Sequence, residues 1–131
     1  SSASAAKLPA MSYMLLIIEP VGQRATRTAA EGRDAYASMQ RFGESLAARG
    51  QLKAVESLAS QATAVRVSHS VGQARLLDGP FAEAKEMIGG FFLLQNVDRD
   101  EAIAIAQRCP AAQWATVEVR ALAPCFDDSH A

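Results

Sequence analysis

The chain has few of the residues on which metal sites and disulfide frameworks depend. It contains two histidines, His69 and His130, and two cysteines, Cys109 and Cys125, among 131 residues. The histidines do not form a His-x-His or His-x-x-x-His pair, and no second cysteine pair completes a zinc site. We therefore expect neither a metal nor another cofactor. The cysteines are interpreted as two free thiols of a reducing cytosol rather than as a disulfide.

Long hydrophobic runs and an excess of basic charge are also missing. The longest apolar run, Met14 to Ile18, is too short to span a bilayer. The 13 lysines and arginines are balanced by 14 aspartates and glutamates, which argues against a basic nucleic-acid-binding stripe. Half of the residues are hydrophobic, as is typical of a soluble globular domain. We expect a cytoplasmic protein with no membrane partner and no direct nucleic-acid partner.

One domain is predicted between residues 11 and 123. A chain of 131 residues fits the usual size of a single domain. Residues 1–10 are mostly small or polar, and they lack the apolar stretch of a signal peptide. They are interpreted as a disordered extension or a remnant of an expression vector. Residues 124–131 are expected to form a loose C-terminal tail.

The start of the domain predicts a strand followed by a helix. The apolar run Tyr13 to Glu19 ends before Pro20, as a buried strand would. Thr28 and Glu31 have the spacing of a capping box, and the helix that they begin ends near Gly50. Its apolar positions share one face, and they are Ala35, Met39, Phe42 and Leu46.

The rest of the domain predicts further strands and a second helix. Strands are predicted over 51–58, 63–68, 74–77, 91–97 and 114–122. Residues 70–73 are predicted to form the turn of an inserted hairpin. Asp98 and Glu101 have the spacing of a second capping box, and Pro110 ends that helix.

Without the hairpin, the order of the elements is βαββαβ, which is the split-βαβ or ferredoxin-like unit. Right-handed crossovers then place both helices on one face of an antiparallel sheet. The other face is left uncovered, and two such sheets commonly pack face to face. We therefore predict an α+β domain that forms a homodimer.

The most distinctive stretch of the chain runs from Asp78 to Phe91. It reads Asp-Gly-Pro-Phe-Ala-Glu-Ala-Lys-Glu-Met-Ile-Gly-Gly-Phe and resembles the signature of the DGPF-domain proteins, a branch of the YCII-related family. The resemblance covers residues 11–122 and includes Val65–Val67, Cys109-Pro110 and 117–120. It implies a ferredoxin-like domain that dimerises into an α+β barrel and whose biochemical role is generally unassigned.

The same resemblance implies two functional alternatives. Some YCII relatives carry a histidine and an aspartate thought to be catalytic, and Asp78 corresponds to that aspartate. The histidine would lie on the first helix, where this sequence has Met39 and no histidine. Other DGPF members are encoded beside, or fused to, extracytoplasmic-function sigma factors, which implies a regulatory or protein-interaction role.

Residues around the motif are the candidate site. Asp78 is the candidate catalytic base, and the candidate ligand-binding residues are Arg66, Asp78, Gly79, Pro80, Phe81, Glu83, Lys85 and Arg120. Each also has a structural interpretation. Asp78 could hold its own turn through backbone N–H groups, the arginines could pair with a residue such as Glu118, and the charges after the motif could form a solvated face. The leading function is binding of a small polar or acidic molecule near Asp78, with acid–base chemistry as an extension.

Two other residue types have favoured structural interpretations. Gly89-Gly90 leads into a strand rather than a helix, so we interpret it as a backbone device for entering the strand and not as a phosphate cradle. Trp114 is expected in the core or at an interface rather than in a stacking platform.

Overall fold

The computed structural model describes residues 11–126. The strands are β1 Met11–Pro20, β2 Leu52–Ser57, β3 Val65–Ser70, β4 Gln73–Asp78, β5 Glu86–Val97 and β6 Thr116–Ala121. The helices are α1 Ala29–Ala48 and α2 Arg99–Arg108, with short 3-10 helices at Gln23–Thr26, Gln61–Thr63 and Pro110–Gln113. The predicted N-terminal extension and the residues of the predicted tail beyond Phe126 lie outside the described residues. Within the described part of the chain, no helix is long and apolar enough to cross a membrane.

Four strands form one antiparallel sheet in the order β2-β5-β1-β6, and β3 pairs with β4 in a separate two-stranded sheet. The predicted α+β class is confirmed, and the strand order is consistent with a ferredoxin-like fold. The predicted inserted hairpin is also confirmed. We call β3 and β4 together the hairpin arm.

Alternation along β1 decides which of its side chains lie on the face of the sheet that the helices cover. Tyr13, Leu15 and Ile17 are buried against both helices in the core, because successive strand residues point to opposite faces. The residues between them are only half-buried. They belong to what we call the open face, whose apolar residues include Met14, Leu16 and Ile18 of β1 and Phe91 and Leu93 of β5.

The first predicted capping box is present, and the second is only half formed. Thr28 Oγ1 accepts from the Glu31 N–H at 3.1 Å, and Glu31 Oε1 accepts from the Thr28 N–H at 2.8 Å. The pKa of Glu31 is lowered by hydrogen bonds to its carboxylate from the Thr28 backbone N–H and from the Thr28 side chain. Asp98 Oδ1 likewise accepts from the Glu101 N–H at 2.8 Å. The predicted return bond from Glu101 is wrong, because its carboxylate instead accepts from Gln51 Nε2 at 2.8 Å.

Several strand boundaries differ from the prediction by one or more residues, and three of them have a clear physical reason. Strand β1 continues to Pro20, where β1 pairs with β5 but no longer with β6, so the missing N–H of proline breaks no ladder. Strand β5 begins at Glu86 instead of near Phe91 because it follows this extension. Strand β6 begins at Thr116 rather than Trp114, since the preceding 3-10 turn ends with the Trp114 N–H on the Ala111 carbonyl.

The predicted turn of the hairpin arm contains a residue in an unusual conformation. Val71 has a φ of 52° and Gly72 a φ of 75°, as in the two-residue type I′ hairpin loop that favours Asn-Gly. A β-branched residue in the left-handed region is strained. Val71 is also 97% exposed, so it has no packing to offset that strain.

We therefore expect Val71→Asn to stabilise the hairpin arm by about 1 kcal/mol, because asparagine tolerates the left-handed region. Amide hydrogen exchange measured over residues 65–78 should slow by roughly fivefold. Val71→Ala is the control, since it removes the β-branch but keeps a residue that disfavours this φ. Exchange in Val71→Asn no slower than in Val71→Ala would contradict the expectation.

Candidate functional site

A cavity of about 590 Å³ lies between α1 and the covered face of the sheet, and we call it the helix–sheet cavity. This space exists because several residues of α1 that face the sheet are small. Residues of α1 that line it include Gly32, Ala35, Tyr36, Met39 and Gly43, and those of the sheet include Ile17, Leu52, Val55 and Phe92. A concave, mostly apolar site with a few polar groups is the usual form of a small-molecule site.

The polar end of the helix–sheet cavity is an ion pair between Glu19 and Arg24. Glu19 continues the alternation of β1 onto the covered face and is 5% exposed. Gly22, with a φ of 89°, turns the chain into the 3-10 helix that carries Arg24. Arg24 Nε then donates to Glu19 Oε1 at 2.6 Å. Both residues line the cavity, so the pair provides a fixed carboxylate in a largely apolar setting.

The guanidinium of Arg24 also links the pair to β5 and to the residue that follows β2. Its Nη1 donates to the Leu58 carbonyl at 2.8 Å, and its Nη2 donates to the Gly89 carbonyl at 3.3 Å. Each of its three nitrogens therefore has a partner within the chain. Arg24 is partly exposed, and its fixed position gives the buried carboxylate of Glu19 the partner that it needs, because desolvation of an unpaired charge is costly.

Gly89 makes room for this arrangement. A Cβ at Gly89 would overlap Glu19 Oε2 and would lie 2.9 Å from Arg24 Nη2. Sequence reasoning interpreted Gly89-Gly90 as a device for entering the strand, and the structure adds that Gly89 accommodates the carboxylate. Gly90 has a different constraint, because its Cβ would lie 2.8 Å from the Glu56 carbonyl oxygen.

A second arginine lines the helix–sheet cavity beside Trp114. The guanidinium carbon of Arg27 lies 5.6 Å from the centre of the Trp114 ring. Gln23 connects the two residues, since its Nε2 donates to the Trp114 carbonyl at 2.8 Å and its Oε1 accepts from Arg27 Nη2 at 3.3 Å. Trp114 also packs against the core, as predicted, so one tryptophan contributes to both the core and the cavity wall.

Two of the predicted site residues lie together at a second cavity. This arm cavity, of about 630 Å³, is lined by Arg66 and Phe81 together with Ile18 and residues of 58–64 and 86–88. The guanidinium carbon of Arg66 lies 3.8 Å from the centre of the Phe81 ring, and Phe81 is buried. Arg66 has no carboxylate partner among the described residues.

Asp78 lies outside both cavities. It is exposed at the end of β4, opposite Val65. Its carboxylate makes no hydrogen bond within residues 11–126, so the predicted bonds to its own loop are not observed. Gly79 has a clear structural role instead. Its N–H donates to the Ala64 carbonyl at 2.7 Å, and a Cβ there would overlap the Gln61 carbonyl oxygen.

The remaining candidates are exposed. Pro80, Glu83 and Lys85 lie at the surface within the stretch from Asp78 to Phe91, and they line neither cavity. Arg120 lies on the edge strand β6, where its Nη1 is 3.3 Å from Glu118 Oε2. This is the surface pairing that the structural interpretation predicts for Arg120. A binding role for these residues stays a prediction.

The two cysteines are free, as predicted. Cys109 is buried, and this burial raises the pKa of its thiol. Hydrogen bonds from the Ala111 and Ala112 N–H groups oppose the shift only in part. Cys125 is exposed. Within the described residues, no group of three or more His, Cys, Asp or Glu side chains could hold a metal ion, and metal independence stays a prediction.

Sequence reasoning missed Glu19 and Arg24. A signal for Glu19 was present, because it stands at the phase of Leu15 and Ile17 in β1 and so belongs on the covered face. Arg24 had no comparable signal. Its carbonyl partners lie 34 and 65 positions away, and only the folded sheet brings them together.

The YCII-related domain family matches residues 11–125, and the chain belongs to that family. A protein of Rhizobium meliloti (strain 1021), described as uncharacterized, is similar to this chain. The two are 37% identical over 93 residues, which cover 70% of this chain and 72% of the relative. The resemblance to YCII-related proteins is thus confirmed, and the matched range includes the residues that line both cavities.

Proposed function

We propose that this YCII-related protein binds a small organic molecule in the helix–sheet cavity, with the Glu19 carboxylate as the principal polar contact. The observation that supports the proposal is the burial of Glu19, at 5% exposed, in the wall of a largely apolar cavity of about 590 Å³. A charged side chain is rarely buried in such a place without a structural or functional reason.

The position of Glu19 also supports acid–base chemistry. One carboxylate oxygen is occupied by Arg24, and the other lies beside Gly89 at the cavity wall. A bound molecule with a proton near that oxygen would meet a positioned general base. The sequence predicts this role for Asp78, but Asp78 is exposed and lines neither cavity, so the proposal moves to Glu19.

The test is to fill the cavity without disturbing the fold. Gly32 lies on α1 and lines the cavity, and a Cβ at this position would meet no atom within 4 Å. Gly32→Leu should therefore occupy the cavity, and it should favour the helix by about 1 kcal/mol relative to glycine. Ala30→Leu is the matched control, because Ala30 is exposed on the same helix and outside the cavity.

The probes are p-cresol, 4-methylanisole and p-toluate. Their binding is measured through the shifts that they cause in backbone amide resonances. We expect at least one probe to shift the amides of cavity residues such as Ala35 and Val55. Gly32→Leu should remove these shifts, and Ala30→Leu should retain them. The proposal fails if none of the probes shifts these amides, or if Gly32→Leu responds as the wild type does.

We further propose that the protein is a DGPF-branch homodimer that packs through the open face. Two observations support self-association. The open face presents five half-buried apolar residues in a row of neighbouring strands. The hairpin arm adds Val65, Val67 and Leu76, which are 50%, 62% and 68% exposed. A two-stranded hairpin is only marginally stable alone. A dimer burying at least roughly 1,200 Å² would cover these surfaces.

A regulatory role is the second candidate, and the same exposed apolar surfaces favour it. A ligand-binding role predicts a cavity, and a regulatory role predicts an exposed apolar patch. The described residues contain both features, so this criterion does not separate the two candidates. Association with an extracytoplasmic-function sigma factor stays a prediction from the family resemblance.

A further inference from the structure

We infer that the molecule bound in the helix–sheet cavity is a hydroxylated aromatic compound that donates a hydrogen bond to Glu19 Oε2. This inference rests on the proposed function and gives it a ligand class. The sequence predicts a small polar or acidic molecule near Asp78, whereas this inference places a neutral hydrogen-bond donor at Glu19.

The arginine at the polar end of the cavity is already engaged. Arg24 donates through Nε to Glu19, through Nη1 to Leu58 and through Nη2 to Gly89. A ligand carboxylate that approached Arg24 would compete with these contacts and would also meet the negative charge of Glu19. Like charges at short range in a partly buried site repel strongly. The pair therefore disfavours an anionic group at this end of the cavity.

Glu19 Oε2, in contrast, is a hydrogen-bond acceptor that a ligand can use. Arg24 occupies Oε1, while Oε2 receives no hydrogen bond from the described residues and lies against Gly89. A carboxylate only accepts hydrogen bonds, so its natural complement is an O–H or N–H group. A hydrogen bond to a charged acceptor is roughly twice as strong as one between neutral groups.

The remainder of the cavity fits an aromatic body. Its lining includes Phe92, Trp114, Met39 and Tyr36, and such side chains pack well against a flat ring. Arg27 is a second cation at the wall, held over Trp114. It would accommodate an additional polar substituent without changing the requirement for a donor at Glu19.

The three probes test the need for a hydrogen-bond donor on the ligand independently of its aromatic ring. At neutral pH p-cresol carries a neutral hydroxyl and p-toluate a carboxylate, whereas 4-methylanisole keeps the oxygen but cannot donate. For the wild type we expect p-cresol to bind at least roughly tenfold more tightly than 4-methylanisole. We expect p-toluate to bind no better than 4-methylanisole.

Glu19→Gln should abolish the preference for a hydrogen-bond donor while keeping the shape of the side chain. Arg24 Nε still requires an acceptor, so the amide oxygen should face Arg24 and the amide nitrogen should replace Oε2. The position that accepted a hydrogen bond then donates one. The advantage of p-cresol over 4-methylanisole should disappear, and p-toluate should gain affinity.

The outcomes distinguish the inference from the function on which it rests. If p-toluate binds the wild type as tightly as p-cresol and Gly32→Leu blocks both, the cavity binds ligands but the donor rule is wrong. If p-cresol does not bind but another probe does, only the inference fails, and if none of the three probes binds, both fail. If Glu19→Gln binds p-cresol with unchanged selectivity, the inference also fails. Should Glu19→Gln not fold, the ranking of the three probes on the wild type decides alone.

Discussion

Replacing Gly89 with alanine should lower the free energy of unfolding by about 2 kcal/mol, as expected for overpacking at a buried site. The new methyl group would overlap Glu19 Oε2 and approach Arg24 Nη2 to 2.9 Å. Glu19 is 5% exposed, so its carboxylate cannot move into solvent without leaving Arg24. The expected loss is therefore the strain of the overlap or the loss of the buried pair, and urea denaturation would measure it.

A double-mutant cycle shows whether the loss of stability caused by Gly89→Ala depends on Glu19. In a Glu19→Ala background the carboxylate oxygen that the methyl group overlaps is gone, and Arg24 Nη2 belongs to the flexible end of a side chain that can shift. Adding Gly89→Ala should then cost less than about 0.5 kcal/mol, and the difference from its cost in the wild type is the coupling between the two positions. An equal cost in both backgrounds would show that Gly89 is required for the strand itself and not for the ion pair.

Gly43→Ala is the matched control for Gly89→Ala. Gly43 is also buried, but its Cβ would lie 3.5 Å from Phe92 Cε2 and 3.9 Å from Leu52 Cδ2, which are ordinary contacts. It lies inside α1, where alanine is favoured over glycine by about 1 kcal/mol. We expect no loss of stability, and a loss equal to that of Gly89→Ala would contradict the steric argument.

The elements of this fold follow from patterns that span only a few residues. Thr28 and Glu31 form their predicted capping box, and Gly50 adopts its left-handed conformation with a φ of 71°. Alternation likewise places Leu15 and Ile17 on the covered face. These signals are reliable because each depends on the local geometry of the backbone, which neighbours in sequence determine.

The site could be predicted only in part, because distant residues complete it. The motif correctly indicated a constrained turn at Gly79, but it also directed attention to Asp78, which the pairing of β3 and β4 leaves exposed. Glu101 shows the same limit. Its local spacing predicts a return bond to Asp98, yet Gln51, 50 positions away, takes the carboxylate. Contacts over such distances depend on packing that no short pattern records.

The final prediction concerns the open face, where Leu16→Lys should convert the proposed dimer into a monomer. Leu16 lies on the central strand β1, half-buried, with Phe91 opposite on β5 and Glu118 opposite on β6. In the isolated chain the new ammonium group can reach solvent and pair across strands with Glu118, so the fold should be retained. In a face-to-face dimer the same group would be buried, and burying a charge without a full partner costs several kcal/mol.

We expect the dimer dissociation constant to rise at least about hundredfold, measured by sedimentation equilibrium at micromolar concentration. Ala48→Lys is the control, because Ala48 is exposed at the end of α1 and away from the open face. It should sediment as the wild type does. A wild-type chain that is already a monomer would contradict the proposed dimer. A Leu16→Lys chain that remains a dimer would place the contact elsewhere, and the exposed Val67 and Leu76 of the hairpin arm would then be the surfaces to change.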